Sequence, residues 1–205
     1  MKRFFTLGVL GLLIVAGCSN PKKPSNGNFT RAINQALSTR GKACVLISGQ
    51  FPVDVPLSQL TWRKQDVDRL TALENAGLVK SSDTTAVPQG SFAPEKPQPV
   101  KRFDLTDLGK QYLHQQPGFS GSSAGFCYGQ EVVDSIVKWN EPATAGGFTV
   151  TVVTYTYRLD GLADWAQKPE VVTQYPEVRQ ELDGARVQQR TMGLQLTNRG
   201  WDAGE

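Results

Sequence analysis

The hydrophobic residues follow different patterns in the two parts of the chain. Phe29, Ile33 and Leu37 recur every four residues after Asn28, which predicts a helix capped at that position. The C-terminal part instead contains TVTVVTYTY, residues 149–157, which is β-branched and aromatic throughout. These residue types favour a strand. The pattern therefore predicts helices in the first half of the chain and an antiparallel sheet in the second half.

The middle segment, residues 62–113, predicts a helix, a hairpin and a second short helix. LTALENAGLV contains the end of the first helix, and Gly77 stands where a left-handed residue closes a helix. FDLTDLGKQYL then predicts a strand that passes through Thr106 into the second helix. This order resembles the winged-helix family. The resemblance implies a helix that lies in the major groove of DNA and a hairpin that forms the wing.

The charge of that first helix argues against DNA binding. Lys64 and Arg69 are outnumbered by Asp66, Asp68 and Glu74, so phosphate would repel the helix. We therefore expect no nucleic acid as a partner. The winged-helix shape would serve as a scaffold or as a protein-binding surface, with Arg69 on its exposed side.

The glycine-rich segment QQPGFSGSSAG, residues 115–125, has the composition of a linker. We take it as a domain boundary. The predicted fold class is α+β, with a winged-helix-like N-terminal half over residues 29–114 and a small antiparallel β-sheet C-terminal half over residues 126–205.

The N-terminus has the features of an export signal. Lys2 and Arg3 precede an apolar run from Leu7 to Ala16, which has the length of a signal-peptide core. The run ends in VAGC at Cys18, which resembles the lipobox of bacterial lipoproteins. The resemblance implies removal of residues 1–17 and acylation of Cys18. An ordinary cleaved signal with an incidental cysteine, or a membrane anchor, remains the alternative.

The residues after Cys18 refine the expected location. Ser19 stands where an inner-membrane retention signal would usually have Asp, so the resemblance implies the outer membrane of a Gram-negative bacterium, on its periplasmic side. Residues 18–28, rich in Pro, Ser and Asn, predict a lipidated tether. The sequence offers no second apolar run of spanning length, so we expect a protein that is anchored to the membrane by lipid.

Charge and cysteine content narrow the function classes. The net charge of +3 falls to +1 without residues 1–17, so the near-neutral body as a whole gives no electrostatic case for nucleic acid or for an anionic membrane surface. Cys44 and Cys127 remain after Cys18 is assigned to the lipid, and an oxidising compartment favours a disulfide between them. Two buried free thiols are the alternative. With His114 as the single histidine and no CxxC pair, we expect no metal site.

No catalytic constellation stands out. Residues 121–125, GSSAG, match G-x-S-x-G, but the flanking sequence predicts neither the strand nor the helix of a nucleophile elbow. Carboxylates are scattered, and we expect no cofactor. Trp165 and Trp201 lie in polar surroundings, which makes them candidates for a binding surface, with core packing as the alternative.

The sequence thus predicts a non-enzymatic, membrane-anchored periplasmic lipoprotein that binds an envelope protein or has a structural role. One alternative is a lipoprotein that binds peptidoglycan or another glycan through Trp165, Trp201 or tyrosines of the sheet. A second alternative is an envelope hydrolase that uses paired carboxylates, which need a defined separation in a cleft.

Overall fold

A computed structural model describes residues 20–47, 50–88, 96–118 and 121–204. Cys18 and the proposed signal lie outside the described residues. The helices in the described part are α1 (Asn26–Arg40), α2 (Lys64–Asn75), α3 (Asp107–Tyr112), α4 (Pro169–Gln174) and α5 (Pro176–Gly184). The strands are β1 (Lys42–Ile47), β2 (Val53–Pro56), β3 (Val79–Ala86), β4 (Gln98–Leu105), β5 (Leu113–Gly118), β6 (Gly121–Trp139), β7 (Ala143–Ala145), β8 (Phe148–Asp160), β9 (Gln189–Thr197) and β10 (Gly200–Asp202).

A large antiparallel sheet organises the chain. Its order is β1-β6-β8-β9-β10, with β5 paired to β6 and β7 paired to β8. A second, three-stranded sheet has the order β2-β4-β3. Strand β6 is 19 residues long, and register shifts near Asp134 and Val137 interrupt its pairing with β8. Such bulges bend a long strand and increase its twist.

The predicted division into a winged-helix-like half and a small sheet is wrong. β1 comes from the N-terminal part of the chain, yet it pairs with β6 of the large sheet. Residues 113–118 and 121–126, most of which we expected to form a linker, are paired strands. The physical reason is that sheet pairing joins residues far apart in sequence, whereas local composition reports only turn preference. The large sheet therefore spans much of the chain.

Several local elements between residues 64 and 113 do lie where the sequence predicts them. α2 ends before Gly77, which has a φ of +86° that other residues adopt with strain. Thr106 caps α3 by accepting a hydrogen bond from the Gly109 amide at 2.9 Å. α3 packs so close to the turn between α2 and β3 that a Cβ at Gly109 would lie 1.9 Å from the Leu78 carbonyl oxygen.

Two hydrophobic clusters lie on one face of the large sheet, which we call the inner face. Under α1, Phe29 and Ile33 pack against Val153 and Tyr155 of β8. Leu159, further along the same side of β8, packs against the second cluster. That cluster joins the large sheet to α2, the three-stranded sheet and α4–α5. The inner face is therefore covered at one end by α1 and at the other by the remaining elements.

The disulfide between Cys44 and Cys127 is confirmed. The two cysteines are register partners in the adjacent strands β1 and β6. The bond therefore joins the N-terminal part of the chain to the longest strand of the sheet, across a sequence separation of 83 residues.

Candidate functional site

Residues 20–25, which we call the N-terminal segment, are fastened to the body rather than hanging free from it. Asn28 at the start of α1 is 7% exposed, and its Nδ2 donates to the carbonyl oxygens of Asn20 and Lys23, each at 2.8 Å. Trp201 Nε1 donates to the Lys22 carbonyl oxygen at 3.1 Å. Three backbone carbonyls of the segment are thus acceptors for side chains of the folded body. The predicted tether therefore has a fixed path from residue 20 onward.

Local sequence explains this arrangement. Ser25 caps α1 by accepting from the Asn28 amide, so the chain turns sharply where the segment meets the helix. Phe29 is fully buried and makes edge-on ring contacts with Trp139 and Trp201, with centroid distances of 5.3 and 5.2 Å. A Cβ at Gly200 would lie 2.9 Å from the Pro21 carbonyl oxygen, so β10 approaches the segment closely because that position lacks a side chain.

The predicted role of Trp201 as an exposed binding residue is corrected by these contacts. Its side chain is 8% exposed and lies between Phe29 and the N-terminal segment. The polar residues around it in sequence belong to the turn that precedes β10, and they do not report the burial of the ring. Trp201 thus holds the segment in place together with Asn28.

The surface beside this segment is cationic. Lys22, Lys23, Arg31, Arg40 and Arg199 are exposed. Arg31 donates to Asn28 Oδ1, and Arg40 donates to the Gly204 carbonyl oxygen at 3.3 Å. Among the described residues, none of these five cations forms an ion pair with a carboxylate within 4.0 Å.

Two adjoining depressions mark this surface. One has a volume of about 170 Å³ and reaches Pro21 and Arg31, and the other has a volume of about 600 Å³ and reaches Arg40. Both are lined by Arg199 and by Asp202, which supplies a carboxylate beside the cations. The depressions form a shallow, polar groove between α1 and β10.

Arg69 is not a free surface cation. It pairs with Glu177 of α5, and its guanidinium lies 4.3 Å from the centre of the Tyr175 ring. The Tyr175 hydroxyl donates to the Arg69 carbonyl oxygen at 3.1 Å, and burial raises the pKa of this hydroxyl. These contacts fasten α2 to α5, so Arg69 has a packing role.

Trp165, the other predicted surface residue, is also in the core. It is 4% exposed and makes edge contacts with Tyr112, Phe126 and Tyr128. Its Nε1 has no hydrogen-bond partner among the described residues. The buried ring cannot stack on a sugar, so neither Trp165 nor Trp201 is placed to bind a glycan through its ring face.

A charged network that the sequence did not reveal lies on the inner face between the two clusters. Arg190 of β9 pairs with Glu131 of β6 and, at 2.8 Å, with Glu181 of α5. Its guanidinium also lies 4.0 Å from the centre of the Tyr157 ring, and the Tyr157 hydroxyl donates to the Glu181 carbonyl oxygen at 3.0 Å. One cation thus joins carboxylates from two distant parts of the chain.

The pKa values in this network follow from burial. Burial raises the pKa of Glu131, against the opposing effect of its hydrogen bond from Arg190. Burial and the charge of Glu181 raise the pKa of Tyr157 to about 12. Because Arg190 binds both carboxylates at once, we assign the network to holding α5 against the sheet.

We did not predict the exposure of several large hydrophobic side chains from the sequence. Trp62, between β2 and α2, is 91% exposed. On the face of β8 opposite the inner face, which we call the outer face, Phe148 is 59% exposed and Val150 and Val152 are each 45% exposed. The signal was present in TVTVVTYTY, because a strand that is apolar at both odd and even positions needs a cover on both faces or leaves one exposed.

A groove of about 450 Å³ lies beside this part of the sheet and reaches Ala203 and Gly204, which also line the larger depression near Arg40. Val150 and Val152 of β8 line it together with Gly193 of β9. A Cβ at Gly193 would meet no heavy atom within 4 Å, so the backbone of β9 is open to solvent there. The groove presents apolar side chains beside accessible backbone, which suits contact with another polypeptide.

Three structural observations concern catalysis, membrane crossing and metal binding. Residues 121–125 open strand β6, so the G-x-S-x-G sequence lies in a strand rather than in a strand-to-helix elbow. In the described residues, no helix combines the length and the hydrophobicity needed to cross a bilayer. No grouping of three or more His, Cys, Asp or Glu side chains suited to a metal ion occurs in that part of the chain.

No protein-family model, curated protein or solved structure matches this chain.

Proposed function

We propose that this protein is a bacterial lipoprotein, anchored by acylated Cys18 in the outer membrane, whose body is held at the periplasmic surface of the bilayer and binds an envelope protein. The observation that carries the proposal is the attachment of residues 20–25 to the body. Asn20 is only two positions beyond Cys18 in the sequence, a reach of at most about 7 Å. A lipid on Cys18 would therefore place the body directly on the membrane.

The disulfide supports a periplasmic location for the protein. Disulfides persist in the periplasm and are rare in the cytosol, and the Cys44–Cys127 bond joins two strands of the main sheet. Together with the lipobox resemblance, this favours export followed by retention at a membrane.

The outer face of the sheet supports the binding role. Phe148, Val150 and Val152 place an aromatic ring and two aliphatic side chains on one exposed side of β8. Exposed apolar patches on a soluble body usually mark contact sites. We assign the partner to the class of envelope proteins, because the patch offers hydrophobic contact and open strand backbone.

The lipid anchor is tested by mass spectrometry of the protein purified from membranes. Trypsin releases the N-terminal peptide as residues 18–22, CSNPK, and the proposal requires this peptide to have a diacylglyceryl group on Cys18. A Cys18→Ala variant should leave the membrane fraction. A peptide that begins before residue 18, or an unmodified Cys18, would refute the anchor.

The binding surface is tested by photo-crosslinking in cells from a probe at Val150. The captured protein is then purified, and its affinity is measured for the Val152→Asp variant. We expect affinity to fall at least tenfold, because a carboxylate would be buried in an apolar contact. Val187→Asp is the matched control, since Val187 is 75% exposed and lies outside the patch. Equal losses for the two variants would refute the assignment of this face.

A further inference from the structure

Charge is strongly segregated along the chain. Residues 1–53 contain no Asp or Glu, and they hold seven of the 22 Lys and Arg residues. Residues 54–205 hold the other 15 basic residues and all 19 acidic residues, a net charge of −4. The near-neutral total therefore conceals a basic N-terminal part and an acidic remainder.

The fold gathers four of the five basic residues of residues 20–53 on one surface; the fifth, Lys42 of β1, contacts His114 at 3.3 Å. Lys22 and Lys23 are exposed on the N-terminal segment, while Arg31 and Arg40 are exposed on α1. Arg199, from the turn before β10, joins them by lining the same groove as Arg31. We call these five residues the cationic face. Asp202 is the carboxylate that lines the groove with them.

The proposed anchor would bring the cationic face close to the lipid headgroups of the membrane. Lys22 is four residues from Cys18, and the hydrogen bonds from Asn28 and Trp201 keep the segment on the body. Four residues of extended chain span at most about 14 Å. The side chains of Lys22 and Lys23 would therefore lie within one to two Debye lengths of the lipid headgroups, a Debye length being about 8 Å at physiological salt.

We infer that the cationic face binds the anionic phospholipid headgroups of the bilayer into which Cys18 is anchored. This inference rests on the proposed lipid anchor. The lipid would hold the chain at the membrane, and the five cations would fix which side of the body lies against it. The acidic remainder of the chain would be repelled by the same surface, which favours a single orientation.

The test measures vesicle binding by the cationic face in a chain that cannot be acylated at Cys18. The full mature chain, residues 18–205, is prepared with Cys18→Ala and mixed with vesicles of phosphatidylcholine alone or with 30% phosphatidylglycerol at low salt. We expect the protein to sediment with the anionic vesicles and not with the neutral ones. Each Lys near an anionic surface contributes about fivefold to binding, so Lys22→Gln with Lys23→Gln should weaken vesicle binding about 25-fold.

A second double variant provides the matched control. Lys64→Gln with Lys80→Gln removes the same charge from α2 and β3, where both lysines are exposed. We expect this variant to bind anionic vesicles at least as well as the Cys18→Ala chain. Thermal unfolding of all variants shows whether they remain folded, which we expect because all four lysines are exposed.

Three results would overturn the inference: equal binding to neutral and anionic vesicles, no binding to either, or equal weakening by the two double variants. None of these results depends on acylation, because Cys18 is substituted throughout. The mass of the N-terminal peptide tests the anchor separately, so failure of the proposed function and failure of the cationic face are distinguishable.

Discussion

Replacing Asn28 by Ala should release the N-terminal segment while leaving the body folded. The side-chain amide of Asn28 donates two hydrogen bonds of 2.8 Å to the segment, to the carbonyl oxygens of Asn20 and Lys23. A hydrogen bond within a protein contributes about 1 kcal/mol net, so loss of both lowers the free energy of opening the segment by about 2 kcal/mol. The population of the open segment should then rise about 30-fold.

Trypsin reports this opening directly. The Lys22–Lys23 peptide bond is a cleavage site, and its carbonyl oxygen accepts the hydrogen bond from Trp201. When opening and closing are fast relative to cleavage, the rate of proteolysis follows the open population. We therefore expect cleavage after Lys22, followed by mass spectrometry, to accelerate about 30-fold in Asn28→Ala.

Asn34→Ala is the matched control on the same helix. Asn34 Oδ1 accepts from the Val133 amide of β6 at 2.8 Å, so this substitution weakens the packing of α1 on the sheet and leaves the segment's own hydrogen bonds intact. Its free energy of unfolding should fall by about 1 kcal/mol, while cleavage after Lys22 should change by less than about threefold. An unchanged rate in Asn28→Ala, or the same acceleration in both variants, would refute the claim that Asn28 holds the segment.

Three further predictions concern the body. Arg190→Met should lower the free energy of unfolding by about 2–3 kcal/mol at pH 7, because two carboxylates lose their shared cation. Burial already raises the pKa of Glu131, so protonation of Glu131 should make this loss smaller as the pH is lowered toward 4.5. Urea unfolding at both pH values measures this, and a pH-independent loss would contradict it. Gly109→Ala should lower the free energy of unfolding by about 1–3 kcal/mol, because the new Cβ would collide with the Leu78 carbonyl. Gly27→Ala in α1 should be neutral or stabilising, because a Cβ there would have no heavy atom within 4 Å. Thermal melts in which Gly109→Ala is as stable as Gly27→Ala would exclude the clash. Reducing the disulfide should lower the free energy of unfolding by up to about 4.5 kcal/mol, the chain-entropy estimate for its loop, and an unchanged urea midpoint would show that the bond adds no stability.

The sign of the pH effect in the wild type follows from the same carboxyl group. Because the folded pKa of Glu131 lies above its ordinary value, the folded protein binds this proton more tightly than the unfolded chain. The stabilisation from protonating Glu131 is fully present below the ordinary glutamate pKa of about 4.3, and it is lost as the pH rises through the folded pKa. Glu131→Gln should remove this dependence, which the pH profile of unfolding would show.

Local sequence predicted the features that depend on neighbouring residues. Gly77 closes α2 with a positive φ, and Thr106 caps α3, because both preferences are set within a few residues. The partner of β1 could not be predicted in this way. Its side chains alternate as they would in many strands, and the choice of β6 depends on packing across more than 80 residues of chain. The disulfide did carry that information, since Cys44 and Cys127 are cross-strand partners.

The candidate site shows why local polarity is a poor guide to exposure. Trp62, Trp165 and Trp201 all have polar neighbours in sequence, yet Trp62 is 91% exposed and the other two are 4% and 8% exposed. Tertiary contacts decide the difference, because Trp201 is covered by the N-terminal segment and Trp165 by three aromatic rings. The stretch of 53 residues without a carboxylate was visible in the sequence, but we had considered only the total charge, which conceals the cationic face.

The proposed anchor, cationic face and partner surface fit together geometrically. α1 covers the inner face of the sheet, and its exposed side contributes Arg31 and Arg40 to the cationic face. Phe148 and Val150 lie on the outer face of β8, with the sheet between them and α1. If headgroups bind the cationic face, α1 and β10 lie against the bilayer, while the apolar patch lies on the face of the sheet opposite α1. The attachment of residues 20–25 then sets the orientation of the partner surface as well as its distance from the membrane.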